Sequence, residues 1–102
     1  MELTTQQVST RRNEAQIVDV RELEELVDGM IPGAIHIPLG QIPASHAVLD
    51  SARPVIVVCR SGRRSAAAAD HLAEAGFDAQ TMRGGMLEWA AEGLPMVLPQ
   101  LP

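Results

Sequence analysis

Val55-Ile56-Val57-Val58-Cys59-Arg60-Ser61-Gly62-Arg63-Arg64-Ser65 is the stretch from which the rest of the chain can be read. Val55 to Cys59 is apolar on both faces, the pattern of a central strand in a parallel sheet. An alanine-rich helix is expected from Ser65 to Ala75, with Ser65 as its cap and Gly76 as its end. The cysteine therefore sits between the carboxyl end of a strand and the start of a helix, where ligands bind in open α/β sheets. Unpaired backbone N–H groups and the helix dipole favour an anion there, such as a thiolate or the outer sulfur of a persulfide. Gly62 lets the loop curl so that several amides converge, and the arginines push the same way. A structural cysteine filling space at a strand end is the plainer alternative. It leaves the glycine and the arginines unexplained.

Outward from this centre the chain alternates short apolar runs with helical patterns, which marks an α/β domain with a mainly parallel sheet. A short edge strand is expected at Glu2-Leu3-Thr4, a weak polar helix over 4–12, and a buried strand at Gln16-Ile17-Val18-Asp19-Val20. A short acidic helix from Glu22 to Asp28 stops at Gly29, and Pro32-Gly33 turns into a strand at Ala34-Ile35-His36-Ile37. Residues 39–51 read as short helical turns broken by Pro43. A strand at Ala79 to Met82, a tight Gly84-Gly85 turn and a helix from Met86 to about Glu92 follow, with an irregular tail after Gly93.

The 102 residues suit one domain, and 46% hydrophobic content is enough for a core. One Phe, one Trp and no Tyr mean that Val, Ile, Leu, Ala and Met must build that core. Net charge is −5 and lysine is absent, which argues against non-specific nucleic-acid binding. Three of the eight arginines nevertheless fall within Arg60 to Arg64, a cationic spot suited to a small anion. A single cysteine excludes an intramolecular disulfide and any redox cycle needing a resolving cysteine in the same chain. The N-terminus lacks the basic start and apolar stretch of a secretory signal, and no run approaches a membrane span. A cytoplasmic protein without membrane partners is expected.

Cys59-Arg60-Ser61-Gly62-Arg63-Arg64-Ser65 resembles the active loop of the rhodanese family, a cysteine with glycine three residues on and Arg-Ser closing the loop. Asp19-Val20-Arg21-Glu22, then Glu25, Gly29-Met30-Ile31-Pro32-Gly33-Ala34 and Ile37-Pro38, is similar to that family's first signature. Gly84-Gly85, Trp89 and Gly93-Leu94-Pro95 resemble its C-terminal signature, so the likeness covers residues 16–97 in family order. Met30 stands where many members have histidine, at a turn position that is not catalytic in the family. The resemblance implies one three-layer α/β/α domain over 1–102, with helices on both faces of a five-stranded sheet of order 3-2-4-5-1 and an irregular tail at 98–102.

It also implies a thiosulfate sulfurtransferase. Cys59 would carry sulfur as a persulfide between a thiosulfate-like donor and a thiol or cyanide acceptor, with no metal or organic cofactor. A relay module serving one sulfur-accepting protein, with low turnover on thiosulfate, is the second possibility. A phosphatase or arsenate reductase is the third, and loop length disfavours it. Cysteine-dependent phosphatases, including a branch with the rhodanese fold, place five residues between cysteine and arginine. Here four separate Cys59 from Arg64, and Ser65 holds the phosphatase arginine position.

A carboxylate near the neighbouring strand end can hold a loop arginine in bidentate fashion. By resemblance Asp19 is expected to bind Arg60 or Arg64, with Glu25 as a second support or a solvated helix charge beside Glu22, Glu24 and Asp28. Arg21 is placed at the pocket rim. Arg60, Ser61 and Arg63 are either substrate contacts or exposed side chains of a surface loop. His36, His46 and His71 show no metal-ligand spacing. Trp89 is expected to anchor the last helix, and Met30, Met82, Met86 and Met96 to pack the core and rim.

Overall fold

Five strands form among residues 2–99, the part that the computed structural model describes. They are β1 (Glu2–Leu3), β2 (Gln16–Asp19), β3 (Ile35–His36), β4 (Val55–Val58) and β5 (Ala79–Met82). All pair in parallel in the order β1-β5-β4-β2-β3, which is the expected order read from the opposite edge. β4 lies at the centre with every residue buried, as its unbroken apolar run requires. The two-residue strands at the edges leave little unpaired backbone exposed to further pairing.

Among the described residues four α-helices cover the sheet: α1 (Thr5–Arg11), α2 (Ile42–Ser45), α3 (Arg63–Glu74) and α4 (Gly85–Ala91). Strand side chains alternate between faces, so β4 divides by parity. Val55, Val57 and then Cys59 pack with Ala68, Ala69 and Leu72 of α3, together with Ile42 of α2. Ile56 and Val58 pack with Val8 of α1 and with Met86 and Trp89 of α4. The same parity that sorts the core thus turns the Cys59 side chain toward the face that α3 covers.

Several local expectations change. The short acidic helix is present as a 3-10 helix, Leu23–Asp28, with Glu22 as its cap rather than its first residue. Pro43 breaks nothing: it stands in the first turn of α2, where its missing N–H has no intrahelical role. Thr4 caps α1 in a reciprocal capping box with Gln7, so that helix is better defined than its polar sequence suggests. Residues 94–99 are not wholly irregular. Met30 and Val97 exchange both backbone hydrogen bonds at 2.8 Å, which places Met30 in a buried position. Residues 100–102 of the expected irregular tail lie outside the described residues.

Trp89 is fully buried and donates its Nε1 hydrogen to the Pro95 carbonyl at 2.8 Å, tying α4 to the tail. Ala68 of α3 is also fully buried against the sheet, where only a small side chain fits that close approach. Ala68→Leu should therefore lower unfolding free energy by about 1–3 kcal/mol through overpacking. The exposed neighbour change Ala67→Leu should stay within about 0.5 kcal/mol of wild type. Urea denaturation of both variants measures the difference.

Candidate active site

Cys59 leaves the end of β4 nearly fully buried, at 1% exposure, and the chain then turns over its sulfur. Gly62 makes the turn with φ +116°, a left-handed conformation that a side chain would strain. Its N–H donates to Cys59 Sγ at 3.0 Å. α3 begins directly after it, at Arg63, so the cap is Gly62 and not Ser65 as expected. Ser65 instead lies inside the first turn, and its hydroxyl does two jobs. It donates to the Gly62 carbonyl at 3.0 Å and lies 3.5 Å from Cys59 Sγ, where it accepts from the thiol. Ionisation of the thiol frees that hydroxyl to turn its hydrogen toward sulfur.

Burial by itself pushes the Cys59 thiol up from its ordinary value of 9.0. The Ser65 hydroxyl and the backbone amides of Ser65, Gly62 and Ser61 pull it down and prevail, so the thiol ends below 9.0. Most of the stabilising donors are therefore main-chain groups, whose positions the fold fixes.

α4 helps to fix them. Its first amides have no partner within the helix. Met86 N–H donates to the Cys59 carbonyl at 2.8 Å and Leu87 N–H to the Arg60 carbonyl at 3.1 Å. In a trans peptide the carbonyl and the following N–H point in opposite directions. Drawing the Arg60 carbonyl toward α4 therefore turns the Ser61 N–H toward the sulfur. Gly85, at φ +60°, makes this seam possible: a Cβ there would lie 2.4 Å from the Arg60 carbonyl oxygen and 2.5 Å from that of Cys59. The turn expected at Gly84-Gly85 carries no sign of which backbone it approaches. Two adjacent glycines between a strand and a helix were the available sign of a close backbone approach.

The carboxylates pair differently from expectation. Asp19 binds neither Arg60 nor Arg64 but Arg21, through Nη2–Oδ2 at 2.7 Å and Nε–Oδ1 at 3.0 Å. The Arg21 main-chain N–H donates to the same Oδ1 at 3.1 Å, so a local turn satisfies the buried carboxylate before the loop can reach it. Arg21 is itself only 3% exposed and also donates to the carbonyls of Gly29 and Glu25. It is a neutralised, buried strut between β2 and the 3-10 helix, not an open charge on the rim. Glu25 is the residue that reaches the loop. It holds Arg64 in a bidentate pair at 2.5 and 2.7 Å, joining the 3-10 helix to the first turn of α3.

Arg60, Ser61 and Arg63 are exposed, and the two arginines form no ion pair among the described residues. His36 lies 2.7 Å from the Arg21 carbonyl, while the His46 ring meets Phe77 edge-on and lies tilted to His71. No cluster of three or more His, Cys, Asp or Glu able to hold a metal occurs among the described residues. A cavity of about 370 Å³ opens beside the loop between Arg60, the 3-10 helix and α4.

The Arg64 hydrogen bonds hold Glu25 well below its ordinary 4.5, at about 2, against the opposing effect of desolvation. A carboxylate depressed on folding contributes stability in full above 4.5, and that contribution fades as pH falls toward 2. NMR titration of the Glu25 side chain should show the low midpoint in wild type. Arg64→Gln should return it toward 4.5. A wild-type midpoint already at the ordinary value would mean that the pair does not persist in solution.

The Rhodanese-like domain family matches residues 4–92. A putative sulfurtransferase, YtwF, of Bacillus subtilis is 43% identical over 82 residues, covering 80% of each chain. A sulfurtransferase of Allochromatium vinosum is 39% identical over 85 residues, covering 82% of this chain and 79% of that one. A rhodanese-related protein of Thermoplasma volcanium superposes with a TM-score of 0.91 at 31% identity, over 96% of this chain and 98% of its own. Sheet order, loop position and these likenesses agree: the chain belongs to the rhodanese-like family.

Proposed function

We propose that this chain is a sulfurtransferase that moves a sulfane sulfur from thiosulfate, or a similar donor, to a thiophilic acceptor through a persulfide on Cys59. The observation that carries the reading is the convergence of the Gly62 amide, at 3.0 Å, and the Ser65 hydroxyl on one buried sulfur. Sulfurtransferase-named relatives at 43% and 39% identity support it.

In the first step the Cys59 thiolate attacks the outer sulfur of thiosulfate. The bond between the two donor sulfurs breaks, and its electron pair leaves with sulfite. In the second step an acceptor thiolate or cyanide attacks the outer sulfur of the persulfide. The S–S bond to Cys59 breaks and its pair returns to Sγ, so the thiolate is regenerated with no net redox change in the protein. Covalent storage of sulfur predicts ping-pong kinetics. The loop amides lower the cost of negative charge on sulfur at both stages.

Phosphate chemistry fits less well. A phosphate cradle needs a guanidinium at its floor, and here Arg64 is turned to Glu25 while Ser65 occupies the next position. A dedicated relay to one protein partner would use the same persulfide and differ only in its slow discharge to small acceptors.

Incubation with thiosulfate followed by intact mass measurement should show the gain of one sulfur atom on wild type and none on Cys59→Ser. Ser65→Ala should slow loading by roughly tenfold to a hundredfold, the value of one hydrogen bond to a charged group. Hydrolysis of an aryl phosphate without any sulfur gain would reverse the assignment.

A further inference from the structure

Another cavity, of about 280 Å³, lies at the end of the sheet away from Cys59. Its lining includes Arg12 and Asn13 ahead of β2, Pro32 and Gly33 ahead of β3, and Arg53 ahead of β4. All the strands run parallel, and Cys59 follows the last residue of β4. The chain from Arg53 to Cys59, about 20 Å of strand, therefore separates the cavity from the sulfur.

Arginine is the only charged residue type in the lining. On a chain of net charge −5, two guanidiniums thus share a cavity with no carboxylate. Neither Arg12 nor Arg53 forms an ion pair among the described residues. The acids nearest in sequence are placed elsewhere. Glu14 lines a different cavity, and the Asp50 carboxylate accepts the Ala52 N–H at 2.9 Å. Arg12 Nη1 is buried with no hydrogen-bond partner among the described residues, an arrangement that costs free energy until an acceptor meets it.

The frame around the arginines is already fixed. Gln16 is 7% exposed, and its side chain bonds both the carbonyl and the N–H of Asp50 at 2.8 Å. Its own N–H donates to the Pro54 carbonyl at 2.9 Å, so the segment carrying Arg53 is fastened to the start of β2. The N–H groups of Glu14 and Ala15 both donate to the Arg11 carbonyl and turn the chain out of α1 around Arg12. A cation at the end of α1 suits the helix dipole, and an exposed arginine is commonly a solvated charge. Those roles account for each charge, but not for a buried, unpaired Nη1 in a cavity shared with a second unpaired guanidinium.

We infer that this cavity binds a small tetrahedral dianion of the phosphate or sulfate type, held by the Arg12 and Arg53 guanidiniums. Two positive charges with no acid among them balance two negative ones, and guanidinium forks match oxyanion geometry. The volume falls below the range of about 300–1,000 Å³ usual for organic ligands, which suits an ion or a short ester. The site is independent of sulfur transfer.

The test titrates inorganic phosphate, sulfate and methyl phosphate separately into the full chain and follows backbone amide NMR signals. Sodium chloride holds the ionic strength constant. Saturable shifts are expected at Asn13, Gly33 and Arg53. Binding of the inorganic ions but not of methyl phosphate assigns the site to a free ion, and equal binding of methyl phosphate assigns it to the end group of an ester. Arg53→Gln, at an exposed position whose loss spares the core, should weaken affinity roughly tenfold to a hundredfold, and Arg12→Gln likewise. Arg11→Gln, outside this cavity, should leave affinity unchanged, as should Cys59→Ser. Shifts confined to residues 60–64, no saturation at any of the three amides, or equal losses in Arg11→Gln and Arg53→Gln would overturn the site.

Discussion

A sulfur anion at Cys59 has almost no water around it, because its strand is buried on both faces and its own exposure is 1%. Desolvation alone would keep such a thiol neutral. The arrangement works because donors are built into the backbone around it: the Gly62 amide at 3.0 Å, with the amides of Ser61 and Ser65 and the Ser65 hydroxyl. These donors are held by structure that surrounds the loop. α3 grows from one side, α4 bonds the carbonyls of Cys59 and Arg60 from another, and the Glu25–Arg64 pair ties the first turn of α3 to the 3-10 helix. A loop of free polar side chains would have to be ordered each time charge appeared. A loop of clamped peptides is ordered beforehand.

Much of this was legible in the sequence for physical reasons that act locally. An unbroken Val55–Val58 run has one stable place in an α/β domain, the middle of a parallel sheet, and it lies there. Parity along that strand then orients Cys59, and Gly62 signals a left-handed turn. The misreadings came where one residue type serves two purposes. Serine is a good helix cap, which points to Ser65 for that task, yet the turn requires glycine at the cap and Ser65 faces the sulfur. The resemblance points Asp19 to a loop arginine, yet Arg21 offers both its guanidinium and its main-chain N–H from two residues away. Contacts between distant segments, such as Gly85 with the loop carbonyls, leave only the glycine itself as a trace in sequence.

The charge distribution follows the same division. The chain is acidic overall, with net charge −5, yet its arginines near the loop have distinct duties. Arg21 and Arg64 are neutralised by Asp19 and Glu25 and serve as struts. Arg60 and Arg63, in the segment that follows Cys59, remain exposed. The segment after Cys59 therefore presents two exposed positive side chains on an acidic chain.

The central claim is that the Ser65 hydroxyl and a clamped backbone, without a charged side chain, hold the Cys59 thiol below its ordinary value. Thiolate absorbance near 240 nm during a pH titration measures it directly. Wild type should show a single step with a midpoint below 9.0, absent in Cys59→Ser, and Gly85→Ala should move the midpoint upward as the loop carbonyls are displaced. A wild-type midpoint at or above 9.0, or a folded Gly85→Ala variant with an unchanged midpoint, would contradict the account.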